Sequence, residues 1–407
     1  MWFFYIFIFS VLLLGSFKVG PFSLRVYMVL LMMGYLLLTS QKKANYRIPN
    51  KFLRVFLLYI VVTGMILSLT GEYQEYGFTN LCLAFYLPCF VTVAAINRFI
   101  DTKESFIRMM WFIVGLIFIN CIVTQLQYHG IVAGKLIAMA LSTSLEVQTT
   151  IMSDNDIDAS LLMGEGLPIG LFGFVFTNAN YSATFGVIPL FTYFLYESNT
   201  KVRIASLFIL LVCVYNCFMI QERTAFFGLS VMAAYLLYKN GRNKSTKTML
   251  LFVLAIFILP SVMSSGLGRL TEFSAKEDSR NQVWTLCFSF IGDHLLLGGP
   301  VAYSRLSEIA PHNYFLIALI TSGLIGGIIA ITLYIKSSMN AIQLFMGRTS
   351  PYTKVMAASV IIYAFGCLFH NASIITGDTL FFILYALMIK CSLMENEFEN
   401  ENTMLYR

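Results

Sequence analysis

Pro311-His312-Asn313, followed without a linker by YFLIALITSGLIGG (residues 314–327), is the stretch that decides the fold. A polar tripeptide gives way at once to an apolar run. Pro311 favours an abrupt helix start, because its ring presets φ and it has no N–H to satisfy. The run predicts a membrane helix that carries an imidazole and an amide at one end. Gly323 and Gly327 stand four apart, the G-x-x-x-G spacing that permits close helix packing. Upstream, residues 265–312 read as a polar loop holding Arg280, Trp284, Asp293 and His294.

The rest of the chain shares this apolar character. Of 407 residues, 58% are hydrophobic and 12% charged, and mean hydropathy is +0.76. So few charges cannot cover a soluble surface, and the chain reads as an all-α, polytopic integral membrane protein of about 12 transmembrane helices. Spans are expected at residues 2–17, 22–38, 55–69, 81–96, 109–127, 170–196, 204–220, 224–238, 248–264, 313–335, 355–374 and 379–393. No strand-period alternation is sustained, which argues against a barrel. MWFFYIFIFSVLLLG at the N-terminus has no basic flank and no cleavage site, and reads as a retained first span. Residues 1–394 are thus one transmembrane domain with long outer loops at 128–169 and 265–312. Residues 395–407 belong to an acidic, polar tail that is expected to be disordered.

Basic residues orient the stack. With the N-terminus inside, 19 Lys and Arg fall in inner segments and 8 in outer ones, and both termini lie inside. This positive-inside bias, rather than attraction to nucleic acid, accounts for the net charge of +6. Seven of the eight cysteines lie in or beside apolar runs, with no disulfide framework and no metal-ligand spacing. Cys213 and Cys217, one helical turn apart, read as small packing residues. The acidic run SDNDID (residues 153–158) lacks the later glycine and glutamate of a calcium loop.

A few polar residues stand out against this background. Arg223, in MIQERTAFFG, lies in a tight turn between spans. It either snorkels or pairs with Glu222, or it offers a forked guanidinium to a phosphate. Arg280 and Trp284, in SRNQVW, are four apart and share a face if the segment is helical. Such a helix would rest on the membrane, with Trp284 as an interfacial anchor and Arg280 turned toward a lipid diphosphate. His312 suits a general base, or else caps its helix. Asp293-His294 is a second candidate pair. His370-Asn371 repeats the His-Asn pairing and reads as packing. Asn178 and Asn180, in TNANYSATFG, need partners inside an apolar span. They either bond neighbouring helices or line a cavity for sugar hydroxyls. Walker A, dinucleotide and H-E-x-x-H motifs are all missing. A group-transfer enzyme on the outer face would therefore need a donor already activated, such as a sugar on a lipid diphosphate.

These elements together resemble the O-antigen polymerase and O-antigen ligase superfamily. TNANYSATFG is similar to its N-x-N-x-x-A segment, QERTAFFG to its R-[TG]-A element and SRNQVW to its R-x-x-x-W element. IGDHLLLGGP is similar to I-x-x-H-P-L-x-G-x-G, with Leu295 where proline is common. PHNYFLIALITSGLIGG is similar to P-H-N-x-x-L…G-x-x-G. The elements keep the family's order from Asn178 to Gly327. The resemblance implies a GT-C-like, metal-independent glycosyltransferase at the periplasmic face of the bacterial inner membrane. It would use no cofactor. Its substrate would be an undecaprenyl-diphosphate-linked oligosaccharide. Membrane lipid and a chain-length regulator protein are the other implied partners. Arg223 and Arg280 would hold the diphosphate and His312 would act as the base. Asn313, Asn178, Asn180, Trp284, Asp293 and His294 would bind substrate. Ligation of the glycan to lipid A–core, and transport by a flippase, are the alternative readings.

Overall fold

The computed structural model describes residues 2–13, 18–19, 22–39, 51–69, 86–141, 168–172, 181–187, 190, 192–193, 197, 199–220, 277–298, 313–368 and 378–395. Apart from turns and a ribbon of two short strands these residues are helical, in line with the all-α expectation. Lys18–Val19 (β1) pairs antiparallel with Phe22–Ser23 (β2), Lys18 opposite Ser23 and Val19 opposite Phe22. The helices in order are α1 (Trp2–Leu13), α2 (Leu24–Leu38), α3 (Lys51–Leu69), α4 (Leu87–Phe99), α5 (Lys103–Tyr128), α6 (Val132–Leu141), α7 (Thr200–Met219), α8 (Glu277–Asp293), α9 (Tyr314–Met346), α10 (Pro351–Gly366) and α11 (Thr379–Leu393). Among the described residues three helices are long and apolar enough to cross a membrane: α5, α7 over Thr200–Cys217, and α9. The expected spans 224–238 and 248–264 lie outside the described residues.

Local chemistry explains where the helices start. Thr102 and Ser105 close a capping box at the head of α5. Ser350 caps α10, with Pro351 at its first position, and Asp378 caps α11. α11 is apolar on every side, so no face suits water, and its residues from Thr379 to Met388 are all buried. It packs against α10 and α4 and touches α1, α5 and α9. Around this axis α9 packs on α10, α1 and α2 pack together, and α7 lies on α5.

The C-terminal end of α9 and the start of α10 are tied by polar bonds. Lys354, almost wholly buried, donates to the carbonyls of Phe345 at 2.9 Å and Gly347 at 2.6 Å. Glu395 accepts from the backbone N–H of Ser350 and from the hydroxyls of Ser350 and Thr353. Residue 395, expected to begin a disordered tail, is therefore docked on the first turn of α10, and Met394 is buried. The rest of the tail lies outside the described residues.

Four expectations change in detail. Residues 132–141 form α6 inside what reads as a loop. Gly134 lets α6 fold back on α5, because a Cβ there would overlap the backbone of Leu126 and Gln127. The span expected at 170–196 is not one regular helix. It has a turn at 170–172 and a π-helical segment at Ser182–Val187. Gln127 clasps that turn, donating to Gly170 O at 3.1 Å and accepting from Gly170 N at 2.8 Å. α10 ends at Gly366, short of residue 374.

The fourth change is the largest. α9 is not a straight rod. Gly323, at φ 63 and ψ −169, breaks it. Tyr314 stacks on Tyr334 with ring centroids 4.7 Å apart, and its hydroxyl donates to Ala330 O at 2.9 Å. Sixteen residues of straight helix would put Tyr314 and Ala330 ~24 Å apart. α9 is therefore a helical hairpin, with a short arm at 314–322 folded back along a long arm at 324–346. Gly327 admits the short arm, since a Cβ there would come within 2.7 Å of the Leu319 side chain. The G-x-x-x-G pair thus divides its work: Gly323 makes the reversal and Gly327 the close approach. Gly326 faces Tyr59 of α3, whose hydroxyl donates to Ser322 O at 2.7 Å.

Candidate functional site

The short arm begins at Asn313. Its backbone is extended, and its Oδ1 accepts from Phe315 N at 2.9 Å and Leu316 N at 3.2 Å. Two backbone donors on one oxygen fix which way the amide points. Its Nδ2 has no partner among the described residues. Tyr314 next to it is fully buried and donates its N–H to Cys367 O, at the end of α10, at 3.1 Å. The foot of the short arm is thereby joined to α10.

One turn back along α10, Tyr363 donates its hydroxyl to Asp378 Oδ2 at 2.8 Å. Tyr181 donates to Oδ1 at 3.3 Å, and Leu380 N–H donates to the same oxygen at 3.0 Å. Asp378 is part-exposed as a residue, but its carboxylate is enclosed by these groups. Burial pushes its carboxyl above the usual range. The bonds from Tyr363, Leu380 and Tyr181 and the charge of Arg25 pull the other way without cancelling it. A carboxylate, two phenols and a guanidinium thus gather near the edge that carries Asn313. Sequence reasoning missed Asp378. The signal was there: an acid directly before the apolar run 379–393 is a helix-start residue.

Tyr181 is followed by Ser182, and both follow the Asn178-Ala179-Asn180 segment. Ser182 Oγ accepts from Asn216 Nδ2 at 3.1 Å and Asn120 Nδ2 at 3.4 Å. Asn120 Oδ1 accepts from Leu171 N at 2.7 Å. These side chains are fully buried, and Asn216 Oδ1 has no partner among the described residues. Cys213 and Cys217 are buried as packing residues, and a Cβ at Gly186 would overlap Cys213. The segment after Asn180 is therefore held by polar bonds to α5 and α7. Asn178 and Asn180 themselves lie outside the described residues.

α8 supplies the helix that the spacing of Arg280 and Trp284 requires, and the two positions lie one turn apart on it. Trp284 is 40% exposed. Val283, Cys287, Phe290 and Ile291 of α8 form one apolar cluster with Leu316 and Ile320 of the short arm. α8 and the short arm run side by side toward the hairpin apex. There Leu324 N donates to Leu295 O at 2.7 Å. Measured back from that bond, Asn313 lies ~15 Å along the arm and position 285 lies ~15 Å along α8. Position 285 is therefore level with the foot of the arm, and the first two turns of α8 run on past it.

Asp293 and His294 do not join that foot. Asp293 is exposed, and the part-buried His294 stacks on Phe290 with centroids 6.4 Å apart. They sit at the apex end, ~13 Å from Asn313, because α8 ends where the arm does. Arg223 and His312 lie outside the described residues, as does the side chain of Arg280. His370 and Asn371 lie outside them too. Among the described residues no three His, Cys, Asp or Glu side chains are grouped to hold a metal. No protein-family model and no curated protein matches this chain.

Proposed function

We propose that this chain is a membrane glycosyltransferase that joins undecaprenyl-diphosphate-linked oligosaccharides into O-antigen or a capsular or exopolysaccharide. The observation that carries the reading is the side-by-side course of α8 and the short arm. It brings Trp284 level with the foot that starts at Asn313, with Arg280 one turn farther along α8. The polar group around Asp378 adjoins that foot through α10. In this reading the twelve expected spans form a GT-C-like bundle with both termini cytoplasmic and the apex of α9 toward the periplasm. The long arm, at ~34 Å, spans the bilayer alone. The foot of the short arm then opens into a recess below the outer surface, where water is scarce and charges act strongly.

The reaction is a single displacement. His312 takes the proton of an acceptor sugar hydroxyl as that oxygen attacks the anomeric carbon of the donor. The bond from that carbon to the diphosphate oxygen breaks, the diphosphate leaves with the electron pair, and the configuration inverts. Arg223 and Arg280 neutralise the growing negative charge, and losing one such contact costs about a hundredfold in rate. Asn313 Nδ2, with no partner among the described residues, holds an acceptor oxygen in this reading. No step uses a cofactor. A chain-length regulator is a partner consistent with such a polymerase.

The test uses the full chain in liposomes, with lipid-diphosphate repeat units as substrate. Longer glycans and free undecaprenyl diphosphate are expected. His312→Ala and Arg280→Ala should insert normally and make neither product. Normal polymer from either variant overturns the mechanism. If glycan reaches only added lipid A–core, the enzyme is a ligase. The broken helix at Gly323 favours one further reading, since discontinuous helices recur in transporters. A flippase would move intact lipid-linked sugar between leaflets and release no diphosphate.

A further inference from the structure

The turn after α8 is locked into the hairpin apex by two glycines. Gly298 and Gly323 have φ of 80 and 63, in the region that side chains disfavour. A Cβ at Gly298 would overlap the backbone of Thr321, Ser322 and Gly323. A Cβ at Gly323 would overlap the backbone of Leu296 and Gly298. The turn itself is closed by Gly298 N donating to His294 O at 3.0 Å, and it grows directly from α8, with His294 N donating to Phe290 O at 3.1 Å. Leu324 N then donates across the junction to Leu295 O at 2.7 Å. Further along, Cys287, Leu316 and Ile320 fill the seam between α8 and the short arm.

Apolar seams of this kind fix a distance between helices but tolerate sliding along them. The glycine junction does not, because backbone meets backbone at one register only. We propose that Gly298 and Gly323 are positioning residues: their interlocked turns set the register of α8 against the short arm, and so the spacing of the groups at the two helix starts. The proposal rests on the transferase reading for its consequence, but not for its geometry. A slip of one residue moves α8 by ~1.5 Å along the arm. Misplacement on that scale costs about a hundredfold in rate when reacting groups must be aligned.

The experiment has two readouts on the full chain with Cys82→Ser; the seven described native thiols are buried. Spin labels at Phe288→Cys on α8 and Ile328→Cys on the long arm, both exposed positions, report the distance across the junction. Transfer from lipid-diphosphate repeat units reports the consequence. The parent should give one narrow distance. Gly323→Ala and Gly298→Ala should each shift or broaden it and lower kcat about a hundredfold, with KM for the lipid-linked donor little changed. Should either variant fail to insert, the other carries the test. A disulfide between Leu295→Cys and Leu324→Cys, in the Gly298→Ala background, should restore both the narrow distance and transfer on oxidation. An unchanged distance in both alanine variants overturns the lock. So does a changed distance with full transfer. If the parent releases no diphosphate, the transferase reading falls, and the distances alone decide whether the lock exists.

Discussion

Asp378 is the residue where chemistry and stability are most closely linked. Its carboxyl is raised above the ordinary value of 3.8, first by burial. The folded chain therefore holds this proton more tightly than the unfolded chain does. Such a group stabilises most below its unfolded pKa, and the contribution is lost as pH rises through the raised folded value. Thermal unfolding in detergent, scanned upward from about pH 4, should show the parent losing stability relative to Asp378→Asn. A constant gap between the two proteins across that range would contradict the burial argument. At this scale the sequence was a partial guide. Asn313 was legible only as an amide at the start of the apolar run; the capping role that it performs was expected of His312. Asp378 was overlooked because its partners, Tyr181 and Tyr363, come from distant spans, and no local pattern brings them together.

At the level of elements, the hairpin in α9 is the feature that the pattern of residues concealed. Both arms are apolar, so hydropathy reads them as one helix, and only the Ser322-Gly323 pair marks the reversal. The long arm is readable once the break is known. Leu324, Ile328, Ile335, Met339, Ile342 and Met346 form an exposed apolar stripe, while Gly327, Ala330, Leu333, Ser337, Ala341 and Phe345 turn inward. Exposed apolar residues at helical spacing suit lipid. Gly327→Ile would force the arms apart at Leu319, and overpacking of this kind costs about 1–3 kcal/mol. A fall in the detergent melting temperature, with no change on Ile328→Leu at the lipid-facing stripe, would confirm which face is packed. α8 lies in a stretch that reads as a polar loop, and only the four-residue spacing of Arg280 and Trp284 allowed for a helix there.

For the whole molecule, the apolar composition settled the class, and the buried polar bonds settle how the pieces meet. Asn120, Ser182 and Asn216 join α5, the π-helical segment and α7 away from water. The two amides are not equivalent. Asn120 serves Ser182 and the N–H of Leu171, whereas Asn216 bonds Ser182 through its nitrogen. Asn120→Ala strands the part-buried N–H of Leu171 and should cost about 2 kcal/mol, while Asn216→Leu, which also removes an oxygen with no partner among the described residues, should cost under about 1 kcal/mol. Equal losses in a chemical-denaturation comparison would mean that Asn216 has a partner after all. Single-sequence reading found most helices but not the π-helical segment or α6, since both depend on contacts that α5 supplies from outside their own stretch.

Glu395 sets a boundary for anyone who shortens this protein. A chain ending at residue 395 keeps the clasp on Ser350 and Thr353, and with it the cap on the first turn of α10. A chain ending at residue 393 strips that carboxylate away, along with buried Met394, and leaves the clasped hydroxyls and N–H without their acceptor. Expression trials with nested C-terminal deletions should therefore meet a sharp drop in yield between those two cut points.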